Sequence, residues 1–281
     1  MDKYNAIVIV VYNKKVSEST TINTLSKYVL KNSVLVIYNN GPKEVALDKT
    51  IESELQEKFM GVKVVNNLSN SPLSILYNEF IAGYADADKY VILDDDSTIT
   101  DSFIKALDDD DYDIELPKII SRTDQVTYYP ISSGEVVSFD GFLKTQGTFS
   151  IGSGLIIKRS MVDIFNKHKI TLFDENFALY GVDVSLFRRM YKLDKQGESF
   201  KIRTKSNILH SLSRVEGEES AFRKKERLID VAISTRRYPT LRMHVHLFKK
   251  LLMSLFGGDF AGFYAILNAY CYGMHPRCRP R

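Results

Sequence analysis

The sequence lacks the features by which several common classes of protein are identified. Its 281 residues contain only two cysteines, Cys271 and Cys278, which have neither the spacing of a zinc site nor that of a disulfide scaffold. The first residues show no basic region, long apolar core or small-residue cleavage site, so a secretory signal peptide is not indicated. We therefore expect a cytoplasmic protein in a reducing compartment.

Glycine-rich loops that hold phosphate groups are also missing. The sequence contains neither the Gly-x-Gly-x-x-Gly pattern of dinucleotide-binding proteins nor a Walker loop. If this chain binds phosphates, the positive charge has to come from elsewhere, and this absence favours a metal ion.

Short apolar runs alternate with amphipathic segments over the first hundred residues. The apolar runs are residues 6–11, 34–38, 62–65 and 90–93. Runs of this length predict buried strands, and helical spacing of apolar residues between them predicts helices, the first capped by Ser17 and extending to Val29. Strands that alternate with helices predict an α/β fold with a parallel sheet and right-handed crossovers.

Three carboxylates, Asp94, Asp95 and Asp96, follow the fourth predicted strand directly. The carboxyl end of a strand is where open α/β sheets bind ligands. Adjacent acids repel one another unless water or a cation offsets the repulsion, and a hard divalent cation that carries substrate phosphates uses one or two carboxylates. The stretch therefore predicts a metal site, with a solvated acidic turn as the alternative.

Other candidate residues are ambiguous when each is considered alone. Asp183 begins a predicted helix, where a carboxylate is also favoured by the helix dipole. Gly152 and Gly154 indicate either a tight turn or a close approach to a sugar. His210 ends a predicted strand, and the acidic run 108–111 lacks the pattern of a calcium loop, so we expect a solvated loop there.

Charge is distributed unevenly along the chain. Residues 201–281 contain 16 Lys and Arg against 6 Asp and Glu, a net charge of +10, whereas residues 1–200 contain 22 against 29, a net charge of −7. From Pro239 onward, an apolar stripe beginning at Leu241 is flanked by basic residues, which is typical of a helix that lies on a membrane surface. We expect an anionic membrane as partner and no nucleic acid. The alternative is a packed helical subdomain or a homo-oligomer contact.

A membrane-spanning helix is not the expected form of this tail. Residues 251–274 are long enough to cross a bilayer, but Gly257, Gly258 and Asp259 interrupt them. The tail is therefore expected to lie on the membrane.

The order of these motifs resembles that of the family 2 glycosyltransferases of the GT-A fold, most of all the branch of rhamnosyl and galactofuranosyl transferases of bacterial surface polysaccharides. The resemblance covers about residues 4–215. The residues that carry it are Tyr12-Asn13, Asn39-Asn40-Gly41, Asp94-Asp95-Asp96, Phe173-Asp174-Glu175, Asp183 and His210.

This resemblance implies a role for each matched residue. Asp94 and Asp96 correspond to the Asp-x-Asp motif of the family, which holds Mn²⁺ or Mg²⁺, and His210 to a late ligand of the metal or the diphosphate. Asp183 corresponds to the general base. The residues expected to contact the donor nucleotide-sugar are Tyr12, Asn13, Asn39, Asn70, Asp94 and Asp95.

The resemblance also implies an organisation and a function. Residues 1–215 would form a GT-A domain with a nucleotide-binding half (1–100) and an acceptor-binding half (101–215), and residues 216–281 a basic, amphipathic helical region. The expected protein is an inverting glycosyltransferase that uses dTDP-rhamnose or a UDP-sugar such as UDP-galactofuranose. The expected acceptor is an oligosaccharide or lipid-linked glycan at the inner face of the cell membrane, where the protein would be peripheral.

The sequence departs from the family pattern at several positions. Asn39 stands where an Asp commonly reads the nucleotide, Val182 where a Glu commonly precedes the base, and Ser185 where a second acid is frequent. The segment Asn70-Ser71-Pro72 replaces a frequent Asn-x-Gly. These changes affect nucleotide recognition and remove charges beside Asp183.

Two other functions fit part of the sequence. The pattern Asp94-x-Asp96-x-Thr98 also matches the nucleophile motif of haloacid dehalogenase-like phosphatases, although that motif normally follows an early strand. A non-catalytic glycan-binding protein that kept the fold without turnover is the third hypothesis.

Overall fold

The computed structural model describes residues 3–212 and 220–279, and the domain boundary expected between residues 215 and 216 lies outside them. The strands are β1 (Asn5–Val11), β2 (Leu30–Asn39), β3 (Phe59–Asn66), β4 (Lys89–Asp94), β5 (Ser97–Thr98), β6 (Ile114–Glu115), β7 (Lys118–Ser121), β8 (Thr127–Tyr129), β9 (Ile131–Ser132), β10 (Glu135–Val136), β11 (Gly141–Leu143), β12 (Leu155–Lys158), β13 (Ile202–Thr204) and β14 (Asn207–His210). The α-helices are α1 (Thr20–Leu25), α2 (Lys49–Lys58), α3 (Leu73–Gly83), α4 (Asp101–Asp108), α5 (Arg159–Lys167), α6 (Val182–Asp194), α7 (Ala221–Arg237), α8 (Leu241–Phe256) and α9 (Phe260–Tyr272). Short 3-10 helices span Val16–Glu18 and Pro276–Cys278.

An eight-stranded sheet with the strand order β11-β13-β6-β12-β4-β1-β2-β3 forms the centre of the fold. Strands β1 to β4 run parallel, as the alternation of strands and helices predicts. Strand β12 is antiparallel to both of its neighbours, β4 and β6. The predicted α/β class, with a sheet flanked by helices and a helical C-terminal region, is confirmed.

The central strands are apolar throughout because both faces of the sheet are covered. Ala6 and Val8 of β1 pack into one hydrophobic core, and Ile7 and Ile9 pack into a second core on the opposite face. This two-sided burial explains the continuous apolar run in the sequence. It also fixes the polar residues that follow β1 and β4 at one edge of the sheet.

A smaller, four-stranded sheet of β5, β14, β7 and β8 lies beside this edge. Its antiparallel pair β5–β14 places His210 opposite Ser97, three residues beyond the end of β4. The strand predicted over residues 199–209 is therefore two strands, of which β13 joins the large sheet and β14 the small one.

The first helix is shorter than its apolar pattern predicts. Ser19, not Ser17, caps α1 by accepting a hydrogen bond from the Ile22 N–H. Val29 lies beyond the helix, with 68% of its surface exposed. Strand β2 begins at Leu30, so the chain has already left the helix at Val29 and this side chain does not pack on the helical face.

The acidic run 108–111 forms ion pairs within the protein. Asp109 and Asp111 both contact Arg203, which also donates from Nε to the buried carboxylate of Glu115 (2.6 Å). These contacts connect the run to β6 and β13, so its charges stabilise the sheet edge.

Helix α7 packs against the sheet region, and α8 and α9 add Leu247, Ile266 and Ala269 to the same core. Leu228, Ile229, Ala232 and Ile233 of α7 belong to the same core cluster as one face of β1. Among residues 3–212 and 220–279, no helix is both long and apolar enough to cross a membrane.

Candidate active site

A cavity of about 850 Å³ opens at the carboxyl ends of β1 and β4. Its walls come from the turn after β4, the segment before β12, the start of α6 and the first half of α7. The polar side chains that line it include Asp94, Asp95, Asp96, Asp183, His210 and Asp230. The fold therefore brings together acids that are up to 136 positions apart in the sequence.

Asp94, Asp96 and His210 form the tightest cluster in this cavity. Nδ1 of His210 lies 3.2 Å from Oδ1 of Asp96, and Nε2 of the same ring lies 4.0 Å from Oδ2 of Asp94. One donor atom from each of the three residues falls within 4.8 Å of the others. The structure thus assembles the three residues that the sequence predicts as metal ligands.

Backbone and hydroxyl contacts hold this cluster in place. Thr21 bridges the turn after β4, since its Oγ1 donates to the carbonyl of Asp94 (2.5 Å) and accepts from the N–H of Ser97 (2.8 Å). The Ser97 hydroxyl in turn lies 2.9 Å from Nδ1 of His210 and 2.9 Å from the hydroxyl of Ser153. Residues of α1, β5, β14 and the segment before β12 therefore position the three ligands together.

The surroundings of Asp94 and Asp96 disfavour the ionised forms of both carboxyl groups. The pKa of Asp94 is raised to about 6, mainly by burial and then by the charges of Asp96 and Asp95, while His210 opposes the rise. Burial also raises the pKa of Asp96. A group whose charged form is disfavoured in this way is stabilised when a cation binds beside it.

The donor atoms of the cluster fit a divalent cation. Oδ1 of Asp96 is buried, and although Nδ1 of His210 lies 3.2 Å away, no described residue donates a well-oriented hydrogen bond to it. An unsatisfied buried carboxylate oxygen is costly unless something coordinates it. Two carboxylates and an imidazole suit Mn²⁺ or Mg²⁺, and the imidazole favours Mn²⁺ over Ca²⁺.

Asp183 lies on another wall of the same cavity, in the first turn of α6. Its pKa is raised to about 7, mainly by burial and then by the charges of Asp94 and Asp230, whereas a hydrogen bond from the Gly152 N–H lowers it. A carboxylate with a pKa near neutrality suits general base catalysis. The helix-dipole explanation accounts for its location at the start of a helix but not for its burial in a cavity.

Gly152 is required by the approach of Asp183. A Cβ atom at this position would lie 2.5 Å from Oδ1 of Asp183. The group that approaches Gly152 closely is therefore the Asp183 carboxylate, whereas the close approach to a sugar stays a prediction.

Asp230 is a site residue that the sequence did not indicate. It comes from α7, within the region expected to be a basic amphipathic tail, and lines the cavity beside Asp183 and Gly181. Its carboxylate accepts a hydrogen bond from the Ser234 hydroxyl (2.9 Å), and burial raises its pKa. The sequence feature that could have identified Asp230 is its position as the one acid among the apolar residues of Leu228–Ile233.

The residues expected to contact the nucleotide are partly gathered at the cavity. Tyr12 and Asn70 line it, whereas Asn13 and Asn39 are not part of its lining. The Asn39 amide instead donates to the Lys43 carbonyl (2.7 Å) and to the Asn66 side chain (2.7 Å). The roles of Asn13 and Asn39 stay predictions.

The neighbouring Asn40 faces the cavity in place of Asn39. Its amide donates to the Ser71 carbonyl (2.9 Å), and its buried Oδ1 has no partner among the described residues. On the same side, Nζ of Lys14 lies 3.0 Å from Oδ1 of Asp95. Asn40 and Lys14 are therefore further candidates for ligand contacts.

Comparison of the sequence with models of known families gives no match, and comparison with curated proteins gives none either. The structure, in contrast, is similar to solved structures. The crystal structure of S. aureus TarS 1–349 matches with a TM-score of 0.56 and 12% identity, over 97% of this chain and 93% of that chain. The chain has the GT-A fold.

Two further structures support the assignment of the GT-A fold. TarS 1–349 in complex with UDP-GlcNAc matches with a TM-score of 0.55 and 11% identity, over 97% of this chain and 93% of that chain. GalNAc-T7 with UDP, GalNAc and Mn²⁺ matches with a TM-score of 0.52 and 16% identity, over 90% of this chain and 50% of that chain. At these identities the similarity establishes the GT-A fold and no residue roles.

The raised pKa of Asp183 can be measured without any substrate. In the metal-free protein, carbon-13 NMR of labelled aspartate carboxyl groups should show Asp183 titrating with a pKa of about 7. The variant Asp230→Asn should lower this pKa, because it removes a nearby negative charge while keeping a hydrogen-bonding amide. Asp163→Asn, at an exposed position of α5, is the matched control and should leave the pKa unchanged. An unaltered Asp183 titration in Asp230→Asn would contradict the assigned coupling.

Proposed function

We propose that this protein is an inverting glycosyltransferase that moves a sugar from a nucleoside-diphosphate donor to a hydroxyl group of a growing surface polysaccharide. One observation carries the proposal: the candidate metal cluster and Asp183 line the same cavity of a GT-A fold. Glycosyl transfer needs charge stabilisation at the departing diphosphate and a base at the attacking hydroxyl. The two groups supply these two requirements.

Asp94, Asp96 and His210 would hold Mn²⁺ or Mg²⁺. A cation bound there supplies a Lewis acid that stabilises negative charge on the diphosphate. The part played by the protein is to keep two repelling carboxylates and an imidazole close together before the cation arrives. Ser97 and Thr21 do this through the hydrogen bonds described above.

Asp183 would remove the proton of the acceptor hydroxyl. The bond from this oxygen to the anomeric carbon forms as the bond from that carbon to the diphosphate oxygen breaks, and the proton passes to the Asp183 carboxylate. Attack from the face opposite the diphosphate inverts the anomeric centre. With a pKa of about 7, Asp183 is partly ionised at neutral pH and basic enough to accept the proton.

The N–H of Gly152 orients this base. Its hydrogen bond to the Asp183 carboxylate fixes the carboxylate against the backbone, and the lack of a side chain at position 152 leaves the space that the carboxylate occupies. Orientation matters because a shift of about 1 Å in a reacting group can reduce a rate roughly a hundredfold.

The donor would bind on the side of the cavity formed by Tyr12, Asn40 and Asn70, next to the Lys14–Asp95 pair. The similar structures include complexes with UDP, with UDP-GlcNAc, and with UDP, GalNAc and Mn²⁺, which supports a UDP-sugar donor and a manganese requirement. UDP-galactofuranose and dTDP-rhamnose remain candidates from the family resemblance. The proposed acceptor is an oligosaccharide or lipid-linked glycan, bound on the side formed by α6 and α7.

Binding of donors can be tested by thermal shift with UDP-GlcNAc, UDP-galactofuranose, UDP-hexoses and dTDP-rhamnose, each with Mn²⁺ or with a chelator. A ligand at a hundred times its Kd adds about 2.7 kcal/mol, so the correct donor should raise Tm by roughly 5 to 10 °C when Mn²⁺ is present. Asp96→Asn should lose the Mn²⁺-dependent part of this shift, whereas Asp163→Asn should keep it.

A result without any stabilisation by sugar nucleotides would contradict the proposal. If the protein then released phosphate from simple phosphomonoesters, the phosphatase hypothesis with Asp94 as nucleophile would replace it.

Turnover tests the proposed base separately from donor binding. Asp183→Asn should abolish transfer while retaining the thermal shift with donor, because the amide keeps the shape of the side chain but accepts no proton. Gly152→Ala should lower the transfer rate roughly a hundredfold with little change in Tm, since the added methyl displaces only the end of the Asp183 side chain. Gly61→Ala is the control, because a Cβ there meets no atom within 4 Å.

The rate of UDP or dTDP release in the presence of acceptor gives this measurement. Transfer by Asp183→Asn at the wild-type rate would rule out Asp183 as the base. Donor binding without turnover in the wild-type protein would favour the non-catalytic glycan-binding hypothesis.

A further inference from the structure

The outer two C-terminal helices bury few of their side chains. In α8, Leu247 and Ser254 are the buried residues, although the helix is 16 residues long. A helix that packs on a protein core typically buries a much wider stripe. Most of α8 therefore faces away from the rest of the chain.

Large apolar side chains occupy this outward face. We define the α8–α9 surface as the exposed residues Leu241, Val245, Phe248, Met253, Leu255, Phe256, Phe260, Tyr264 and Leu267. On α8, positions 241, 245, 248 and 255 repeat with helical spacing, so they form one stripe. Phe256 is 83% exposed and Phe260 is 67% exposed, and both flank the turn that joins the two helices. A contiguous apolar surface of this kind marks an interaction site.

Charge next to the α8–α9 surface is mainly positive, and the acid in the turn between the two helices, Asp259, lies 3.8 Å from Nζ of Lys224. Residues 236–258 contain five Lys and Arg and no Asp or Glu, and α9 contains no charged residue. Arg242 and Lys249 are exposed and have no ion-pair partner within residues 3–212 and 220–279. Since Arg242 and Lys249 are adjacent to the apolar stripe on α8, an apolar partner with a negatively charged surface would satisfy both.

We propose that the α8–α9 surface docks on an anionic lipid bilayer. The apolar side chains would enter the boundary between headgroups and acyl chains, and Arg242 and Lys249 would contact lipid phosphates. Tyr264 suits this boundary because its ring is apolar and its hydroxyl is polar. A second copy of the chain is less suitable as the partner, because two such basic surfaces would repel each other.

A second cavity shares lining residues both with this surface and with the candidate active site. It has a volume of about 440 Å³ and lies between α7 and α8, where Lys224, His246 and Lys250 contribute to its lining. Arg227 and Val231 line both cavities, and Met253 belongs both to the second cavity and to the α8–α9 surface. Docking would therefore bring the bilayer close to the opening used by the acceptor. The link between the bilayer and the acceptor rests on the proposed function, whereas the proposed docking on a bilayer does not.

Flotation with lipid vesicles tests the proposal without donor or acceptor. The wild-type protein should float with vesicles that contain phosphatidylglycerol, bind much less to pure phosphatidylcholine, and lose binding at high salt. Lys249→Ala should weaken binding roughly fivefold. Phe256→Ser with Phe260→Ser should weaken it roughly tenfold or more for each residue.

Matched controls change the same residue types elsewhere on the surface. Phe142→Ser replaces a phenylalanine that is 57% exposed on β11, and Lys49→Ala with Lys63→Ala replaces exposed lysines of α2 and β3. These controls should bind vesicles like the wild-type protein, and all variants should keep the wild-type Tm because the altered side chains are exposed.

Two outcomes would overturn the proposal. One is a wild-type protein that does not bind phosphatidylglycerol vesicles, or variants of the α8–α9 surface that bind as well as the controls. The other is a wild-type dimer in light scattering that Phe256→Ser with Phe260→Ser converts to a monomer, without vesicle binding by either form; the surface would then join two copies of the chain. Neither outcome depends on whether the protein transfers sugars.

Discussion

The repulsion between Asp94 and Asp96 is the constraint on which the rest of the site depends. The fold holds both carboxylates beside His210 in a cavity where burial raises the pKa of each. This arrangement is unfavourable for the protein alone, and residues of α1, β5, β14 and the segment before β12 contribute hydrogen bonds that maintain it. A bound cation would relieve this repulsion, so the cluster favours cation binding. The bound cation would in turn attract a diphosphate. The negative charge of Asp94 also acts on Asp183 and raises the pKa of its carboxyl group.

The parts of this architecture that depend on local patterns were predictable from the sequence. The four parallel strands of the first hundred residues follow from continuous apolar runs, because both faces of the sheet are buried. Asp94, Asp96 and His210 were predicted as metal ligands from the family resemblance, and the structure places them together. Asp183 was expected at the start of a helix and lies in the first turn of α6.

The remaining features depend on contacts between distant segments, which no local pattern records. The choice of Asn40 over Asn39 at the cavity is decided by the turn after β2, where Gly41 approaches the backbone of Asn13 and the Asn39 amide satisfies neighbouring groups. Asp230 enters the site because α7 packs back over the sheet, although its sequence neighbourhood resembles a surface helix. The antiparallel insertion of β12, which places the preceding Gly152 and Ser153 beside the acids, likewise comes from tertiary pairing.

The central claim is that the Asp94–Asp96–His210 cluster binds a divalent cation together with a nucleoside diphosphate. Anomalous scattering from crystals grown with Mn²⁺ and UDP tests it most directly. The account predicts a manganese peak within about 2.0 to 2.3 Å of a carboxylate oxygen of Asp96, with Asp94 and His210 beside it and diphosphate oxygens completing the coordination. A manganese peak elsewhere, with UDP bound away from Asp94 and Asp96 or not bound at all, would contradict the account.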